Sequence, residues 1–327
     1  MSEEYLWDRS GEPDPEIEKL EGLLSPFRYQ GGQPPVQQPK PTSRHRWWAL
    51  AAAAVLAIGV WQVTRVAPTP ALKTTWQAVR TAGSPRVNGQ AVGDPADVYT
   101  GQRIETDASS RVEIRSDFVG QVELEPNSEM VVKESRENRQ LLSLRRGVLH
   151  ALIWAPPSEF AVDTPSVRAV DLGCAYTLET ETNGNGLITV QRGWVAFDHE
   201  HSESFIPAEA ACRVYARRGP GVPWFQDATA ALRDGLHRWE ERRSADALQA
   251  VLSAARPRDA LTLWHLLSRV PAGEKNVVFD RLASVVKLPA DVKRDAVIAG
   301  EKQSMDLCWD ALQLGDTSWW RTWKRAW

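Results

Sequence analysis

One uninterrupted apolar segment constrains this chain more than any other feature of its sequence. The run WWALAAAAVLAIGVWQVTRV, residues 47–66, carries no charge before Arg65 and has tryptophans near both ends. About 20 helical residues, at ~1.5 Å each, cover the ~30 Å hydrocarbon core of a bilayer, and tryptophan favours the headgroup layer. A signal peptide would begin nearer to residue 1, whereas this run follows 46 mostly polar residues. The sequence therefore predicts one transmembrane helix over residues 47–66.

Basic residues on either side of this segment indicate its orientation. Lys40, Arg44 and Arg46 precede it, whereas Arg65 and Lys73 follow it. The flank that is richer in Lys and Arg usually stays in the cytoplasm. The sequence therefore predicts a single-pass membrane protein with a cytoplasmic N-terminus, and with everything after the segment on the opposite side.

Residues 1–30 form an acidic tail with a short predicted helix. Asp14 suits the N-cap position and Pro15 the first helical position. Apolar residues recur at helical spacing within this acidic stretch, a pattern that suits a groove on a basic protein partner. The candidate partner-binding residues of the tail are Leu6, Trp7, Ile17, Leu20 and Leu24. A disordered solubilising tail is the alternative, and the Pro- and Gln-rich residues 31–46 are predicted to be a linker.

Beyond the apolar segment the sequence pattern changes twice. Over residues 76–217, short runs alternate apolar and polar side chains, and Asn183–Gly186 has the composition of a hairpin turn. Residues 224–327 follow a Gly- and Pro-rich break and show helical spacing, with helices expected around 277–286, 291–299 and 302–314. The predicted fold class is α+β and multidomain. It combines one transmembrane helix, an all-β domain (sandwich, roll or solenoid) and a C-terminal α-helical domain.

Several motifs between residues 80 and 213 resemble those of the FecR family of cell-envelope regulators. They are GQRIET from Gly101, LEPNS from Leu124, LRRGV from Leu144, FAVDTP from Phe160, and the stretch DLGCAYTLE followed by GLITVQRGWVAF. Cys174 stands where the family usually has threonine. The C-terminal helical region also differs from the short tail of the best-known members.

This resemblance implies a regulator of an extracytoplasmic-function sigma factor. The cytoplasmic tail would hold the sigma factor, and a FecR-like domain over residues 76–217 would receive a signal in the periplasm. It places the chain in the cell inner membrane, with an unknown envelope partner outside and with no cofactor. An envelope scaffold or binding protein without a sigma-factor partner is the alternative function that the sequence leaves open.

Few residues suggest chemistry of their own. Cys174 and Cys212 would face an oxidising periplasm, so the sequence allows either a disulfide between them or two buried small apolar residues. His199 and His201 lack a third ligand at suitable spacing, so no metal site is predicted. No nucleophile elbow or phosphate-binding loop occurs, so no catalytic residue and no enzymatic activity are predicted. The net charge of −3 does not favour direct binding to nucleic acid.

The C-terminal segment is rich in tryptophan. Trp319, Trp323 and Trp327 would share one face of a helix, with basic residues between them. They are therefore candidate partner-binding residues, docking on a protein or on the membrane surface. The alternative is a last helix that closes the helical domain with large packed aromatics.

Overall fold

The computed structural model of the chain describes residues 76–93, 95–199 and 202–315, together with Lys19, Leu23 and Leu24. The contacts between residues divide the chain into two compact units, Met1–Ala67 and Pro68–Trp327. In the first unit the three described residues are helical, and the two leucines are exposed. The predicted membrane helix and linker lie outside the described residues. None of the helices within the described residues is long and apolar enough to cross a bilayer.

Within the described residues, the second unit begins with 18 strands. They are β1 (Trp76–Ala82), β2 (Arg86–Val87), β3 (Gln90–Ala91), β4 (Ala96–Val98), β5 (Arg103–Glu105), β6 (Arg111–Ser116), β7 (Gly120–Leu124), β8 (Glu129–Arg136), β9 (Arg139–Ile153), β10 (Phe160–Asp163), β11 (Arg168–Asp171), β12 (Ala175–Thr180), β13 (Gly186–Arg192), β14 (Trp194–His199), β15 (Ser202–Pro207), β16 (Ala210–Tyr215), β17 (Gly219–Pro220) and β18 (Trp224–Phe225).

Six α-helices follow the strands within the described residues. They are α1 (Ala230–Arg242), α2 (Ala245–Ala254), α3 (Ala260–Leu267), α4 (Lys275–Val285), α5 (Arg294–Ala299) and α6 (Lys302–Ala311). Hydroxyl side chains set where the first two begin: Thr229 Oγ1 accepts from Leu232 N, and Ser244 Oγ accepts from Ala247 N. The predicted order, a β part followed by helices, is confirmed.

The strands form two sheets that share the long strand β9. Sheet A runs in the order β4, β1, β6, β7, β9, β12, β13, β16, with β17 and β18 beside β16. Sheet B runs in the order β3, β2, β5, β8, β9, β10, β11, β14, β15. Every pairing is antiparallel except that of β9 with β10. The alternating burial of β6 and β7 shows that one face of sheet A lines the core.

Gly147 lies where β9 passes from one sheet to the other. Residues up to Arg146 pair with β8 in sheet B, and residues from Gly147 onward pair with β12 in sheet A. The glycine has φ +99°, and a Cβ there would approach the Cα of Ser128 to 2.4 Å. Strands that change sheets need a local bend, and here it requires a residue that tolerates positive φ and close backbone contact. The bend of β9 therefore explains why a glycine occupies this position of the LRRGV motif.

The packing is continuous from the strands into the helices. Strands β17 and β18 lie beyond residue 217, where the sequence places the end of the β domain. Leu261 of α3 and Trp309 of α6 belong to the hydrophobic core of the sheets. A second apolar cluster lies among the helices themselves. The division into separate domains at residues 217–224 stays a prediction. In the structure, the strands and the helices are packed within one compact unit.

Candidate functional site at the junction of the sheets and the helices

Side chains from the helical part of the chain cover the free edge of sheet B. Strand β15 is the last strand of that sheet and pairs only with β14 among the described strands. The backbone N–H of Phe205 donates to His265 Nε2 at 3.1 Å, and Arg269 donates to the carbonyl of Glu203 at 2.9 Å. An open strand edge would offer these groups to another chain. The helical part therefore occupies a surface on which another strand could otherwise pair.

His265 is held in one neutral tautomer by its two hydrogen bonds. A backbone N–H can only donate, so Nε2 accepts from Phe205, and the proton lies on Nδ1, which donates to the carbonyl of Leu261 at 2.9 Å. Burial lowers the pKa of His265 to about 3, and the positive charge of Arg269 acts in the same direction. Protonation at Nε2 would remove the acceptor for the strand edge, so this contact requires the neutral ring.

An aromatic cluster joins the last helices to the sheets. The ring of Trp309, in α6, lies 4.7 Å from Trp264 and 5.9 Å from each of Trp194 and Phe205, measured between ring centroids. Its tilted and edge-on geometries are those that aromatic pairs prefer. The Trp264 indole also donates to the carbonyl of Met305 at 2.9 Å. Two helices, α3 and α6, therefore meet two neighbouring strands, β14 and β15, around one tryptophan.

A buried carboxylate of α1 accepts hydrogen bonds from residues at the end of sheet A. Glu240 accepts from Tyr215 Oη and from the backbone N–H of Val222, both at 2.6 Å. Burial raises the pKa of this carboxyl, and the hydrogen bonds oppose that rise. Next to it, Arg269 donates to Ser204 Oγ, which in turn donates to the carbonyl of Gly221. This polar network fixes the geometry of the junction because each of these groups would be costly to bury alone.

An apolar cavity of about 390 Å³, here called the junction pocket, lies between the two parts. Its apolar lining includes Trp194, Pro207, Phe225, Leu261, Leu312 and Leu314. The guanidinium of Arg258 stacks 4.6 Å from the Phe225 ring and is ion-paired with Glu209, so the rim is polar. Pockets of this size and composition accept a small apolar ligand or an apolar side chain of a partner.

A larger hollow of about 840 Å³ lies along the sheets and is polar. Its charged lining residues are Arg86, Glu105, Asp107, Arg146 and Glu181, which have both signs. No set of three metal-ligating side chains is gathered anywhere in the described ranges. Of the His199–His201 stretch only His199 is described, at the end of β14. This hollow therefore presents no concentration of one charge that would define a ligand class.

The sequence left open a disulfide between Cys174 and Cys212 or two buried small residues, and in the structure both thiols are free and buried. The register explains this: Cys212 is opposite Ile188, which is opposite Leu178, four residues along the chain from Cys174. Two strand spacings and four residues of rise correspond to roughly 16 Å, far beyond the ~7 Å limit between Cα atoms. The alternative interpretation, two buried small residues, describes what is observed.

Cys174 has a buried neighbour that the sequence did not single out. Its thiol donates to Asp171, and burial raises the pKa of that carboxyl to about 7. Asp171 also accepts from the backbone N–H of Gly173 at 2.7 Å. The Cys212 thiol donates instead to the carbonyl of Gly221. The two cysteines therefore belong to separate hydrogen-bonded groups.

Most of the predicted partner-binding residues lie outside the described residues. This holds for Leu6, Trp7, Ile17 and Leu20 in the tail and for Trp319, Trp323 and Trp327 at the C-terminus. Leu24 is described as helical, and 63% of its surface is exposed. Sequence reasoning did not find the junction residues His265, Arg269 and Glu240. The sequence signal for His265 is its place among apolar residues in the helix Ala260–Leu267, where it is buried.

The fold and the junction together define a two-sheet β module whose free edge is closed by appended helices. Residues 102–196 match the model of the family described as FecR protein. The predicted FecR resemblance is therefore confirmed over this stretch, which covers less than a third of the chain and runs from β5 into β14.

Solved structures give a weaker similarity. Two crystal structures of a "putative anti-sigma factor" from Parabacteroides distasonis align with the chain, each with a TM-score of 0.34. The first alignment has 16% identity and covers 38% of this chain and 60% of the solved chain. The second has 15% identity and covers 43% of this chain and 64% of the solved chain. The chain thus spans less than two thirds of either, and no function is drawn from this similarity. A search of curated proteins found no match.

Proposed function

We propose that this chain is a single-pass inner-membrane regulator of an extracytoplasmic-function sigma factor, with its β and helical parts in the periplasm. The observation that carries the proposal is the FecR match of residues 102–196. The apolar segment at 47–66 and the basic residues before it support the topology independently of that match.

In this proposal the acidic tail is the part that holds the sigma factor. An amphipathic helix binds a groove through apolar residues at helical spacing, and its acidic residues complement a basic surface. Ile17, Leu20 and Leu24 supply the apolar face. About ten helical residues are marginal alone in water, so the helix becomes stable when it binds.

The periplasmic part acts as the sensor, and the junction pocket is the place where a signal would enter. A ligand or an envelope partner that fills this pocket changes the packing between sheets and helices. The change reaches the anchor or exposes the chain to proteolysis, and the sigma factor is released. This function needs no cofactor, no catalytic residue and no direct contact with nucleic acid.

The second candidate is an envelope scaffold whose sheets and helices bind wall or outer-membrane components. The exposed apolar and polar surfaces outside the membrane serve either function. The tail distinguishes them, because a scaffold has no need for an apolar helical face in the cytoplasm.

Co-purification with the full-length chain tests the proposal. The double variant Leu20→Asp/Leu24→Asp should reduce recovery of a sigma factor by about tenfold or more, since it places charges in the apolar contact. Lys19→Asp is the matched control, because it alters the net charge by the same amount on a different face of the tail. Recovery of no sigma factor by the unaltered chain would contradict the proposal, as would equal recovery by all three chains.

A further inference from the structure

Exposed large apolar side chains are concentrated at one end of sheet A. From residue 76 onward, five such side chains are exposed among the described residues. Four of them are Tyr99, Phe118, Leu152 and Trp154, with exposed fractions of 52%, 77%, 42% and 50%. We call these four residues the aromatic edge. Single exposed apolar residues are normal on a surface, whereas a concentrated group marks a contact surface.

The strand register shows that these residues share one end of the sheet. One row across five adjacent strands contains Val98, Trp76, Ser116, Gly120 and Ile153. Tyr99 is the next residue after Val98, and Trp154 is the next residue after Ile153, so both lie just beyond the row. Phe118 lies in the turn between β6 and β7. At ~4.8 Å between strands, the aromatic edge extends over roughly 20 Å.

Hydrogen bonds hold the aromatic edge in its exposed position. The Trp154 indole N–H donates to the carbonyl of Asp117 at 2.9 Å, beside Phe118. The backbone N–H groups of Trp154 and Ala155 both donate to the carbonyl of Val119. The backbone N–H of Tyr99 donates to Gln102 Oε1 at 2.8 Å. The exposed rings are therefore presented by an ordered backbone, which limits the entropy lost when they make a contact.

The chain enters the module at this same end. Trp76 is the first residue of β1 and lies in the row that borders the aromatic edge. Nine residues, 67–75, separate it from the predicted membrane segment. At ~3.3 Å per residue these nine residues reach about 30 Å at most. The segment that leads to the predicted membrane helix therefore joins the module at the aromatic edge.

We propose that the aromatic edge inserts its rings into the headgroup layer of the membrane. Tyrosine and tryptophan favour that layer because each has an apolar body and a polar tip. Tethering by the anchor supplies a high effective concentration, so a few shallow rings are enough for a lasting contact. The acidic Asp97 and Asp117 lie beside the rings, which favours a zwitterionic over an anionic lipid surface. This inference rests on the proposed membrane anchor and adds which surface of the sensor faces the lipid.

The contact also has a consequence for signalling. Strand β1 connects the anchor to sheet A, and β6, β7 and β9, which follow it across the sheet, present Phe118 and Trp154. A change in the sheets that withdraws these rings would alter the position of the chain as it enters the membrane. The aromatic edge thus gives the sensor a second link to the bilayer besides the covalent one.

Lipid quenching of a fluorophore tests the proposal on the full-length chain in phosphatidylcholine vesicles. The described native cysteines are all buried, so a single added cysteine can be labelled selectively. The labelled Phe118→Cys chain should lose about half of its fluorescence when some of the lipid has a doxyl group near the headgroup. The matched control is Asn183→Cys, in the exposed β12–β13 turn at the opposite end of sheet A. It should be unaffected.

The second variant adds Trp154→Ser to the labelled Phe118→Cys chain and should weaken the quenching. No quenching at residue 118, or equal quenching at residues 118 and 183, would overturn the proposal. Resistance of the chain to alkaline carbonate washing is measured in parallel. Extraction by carbonate would contradict the anchor of the proposed function, whereas a chain that resists carbonate but shows no quenching at residue 118 would contradict the aromatic edge alone.

Discussion

Replacement of Trp309 by alanine is expected to lower the free energy of unfolding by about 3–5 kcal/mol, the range for a fully buried large aromatic residue. Trp309 is 1% exposed and lies against Trp194, Phe205 and Trp264. Removing it would leave a cavity where α3, α6 and two strands meet. Chemical denaturation of the full-length chain in detergent, followed by tryptophan fluorescence, measures the change.

Trp154→Ala is the control for this variant, because it removes the same side chain from a half-exposed position. We expect a loss of about 1 kcal/mol or less there. Trp309→Phe should restore part of the stability, since a smaller ring still fills some of the cavity. Equal effects of the Trp309→Ala and Trp154→Ala variants would contradict the junction as an integral part of the core.

Acid is expected to destabilise the chain through His265. Its pKa is about 3 in the folded state, below the ordinary 6.5, so the unfolded chain binds one more proton between these two values. The stabilising contribution of the neutral ring is therefore complete above pH 6.5 and is lost as the pH falls towards 3. Between pH 7.5 and 4.5, the unaltered chain should lose about 3 kcal/mol more than the variant His265→Gln, which does not titrate.

Asp171 acts in the opposite direction and must be separated from this effect. Its pKa of about 7 lies above the ordinary 3.8, so its contribution is present at low pH and is lost as the pH rises towards 7. Comparing the unaltered chain with His265→Gln cancels this contribution, because both contain Asp171. The variant Asp171→Asn should change the pH dependence with the opposite sign. An unchanged pH dependence in His265→Gln would contradict the assigned role of the buried neutral ring.

Local patterns predicted that strands precede helices and where several of these elements lie. The alternation expected over residues 76–217 is seen in β6 and β7, and the Asn183–Gly186 turn is confirmed between β12 and β13. Helices expected around 277–286, 291–299 and 302–314 correspond to α4, α5 and α6, with ends that differ by a few residues. These features depend on side chains within a few residues of each other, which is why a single sequence reveals them.

Features that depend on distant contacts were not predictable in this way. Strand β9 has no single alternating face, because it passes from one sheet to the other at Gly147. The role of His265 depends on the docking of α3 against β15, 60 residues earlier in the chain. The choice between a disulfide and two buried residues stayed open for the same reason, since the separation of Cys174 from Cys212 follows from the register of β12, β13 and β16.

Membrane topology is the central claim, because it decides whether the tail and the FecR-like module lie on opposite sides of a membrane. Reporter fusions to the full-length chain measure it directly. Alkaline phosphatase, which is active only in the periplasm, should be active when fused after residue 327, and a fluorescent protein that folds only in the cytoplasm should fluoresce when fused before residue 1. An inactive phosphatase at the C-terminus, together with fluorescence of the second reporter there, would contradict the proposed function while leaving the two-sheet fold intact.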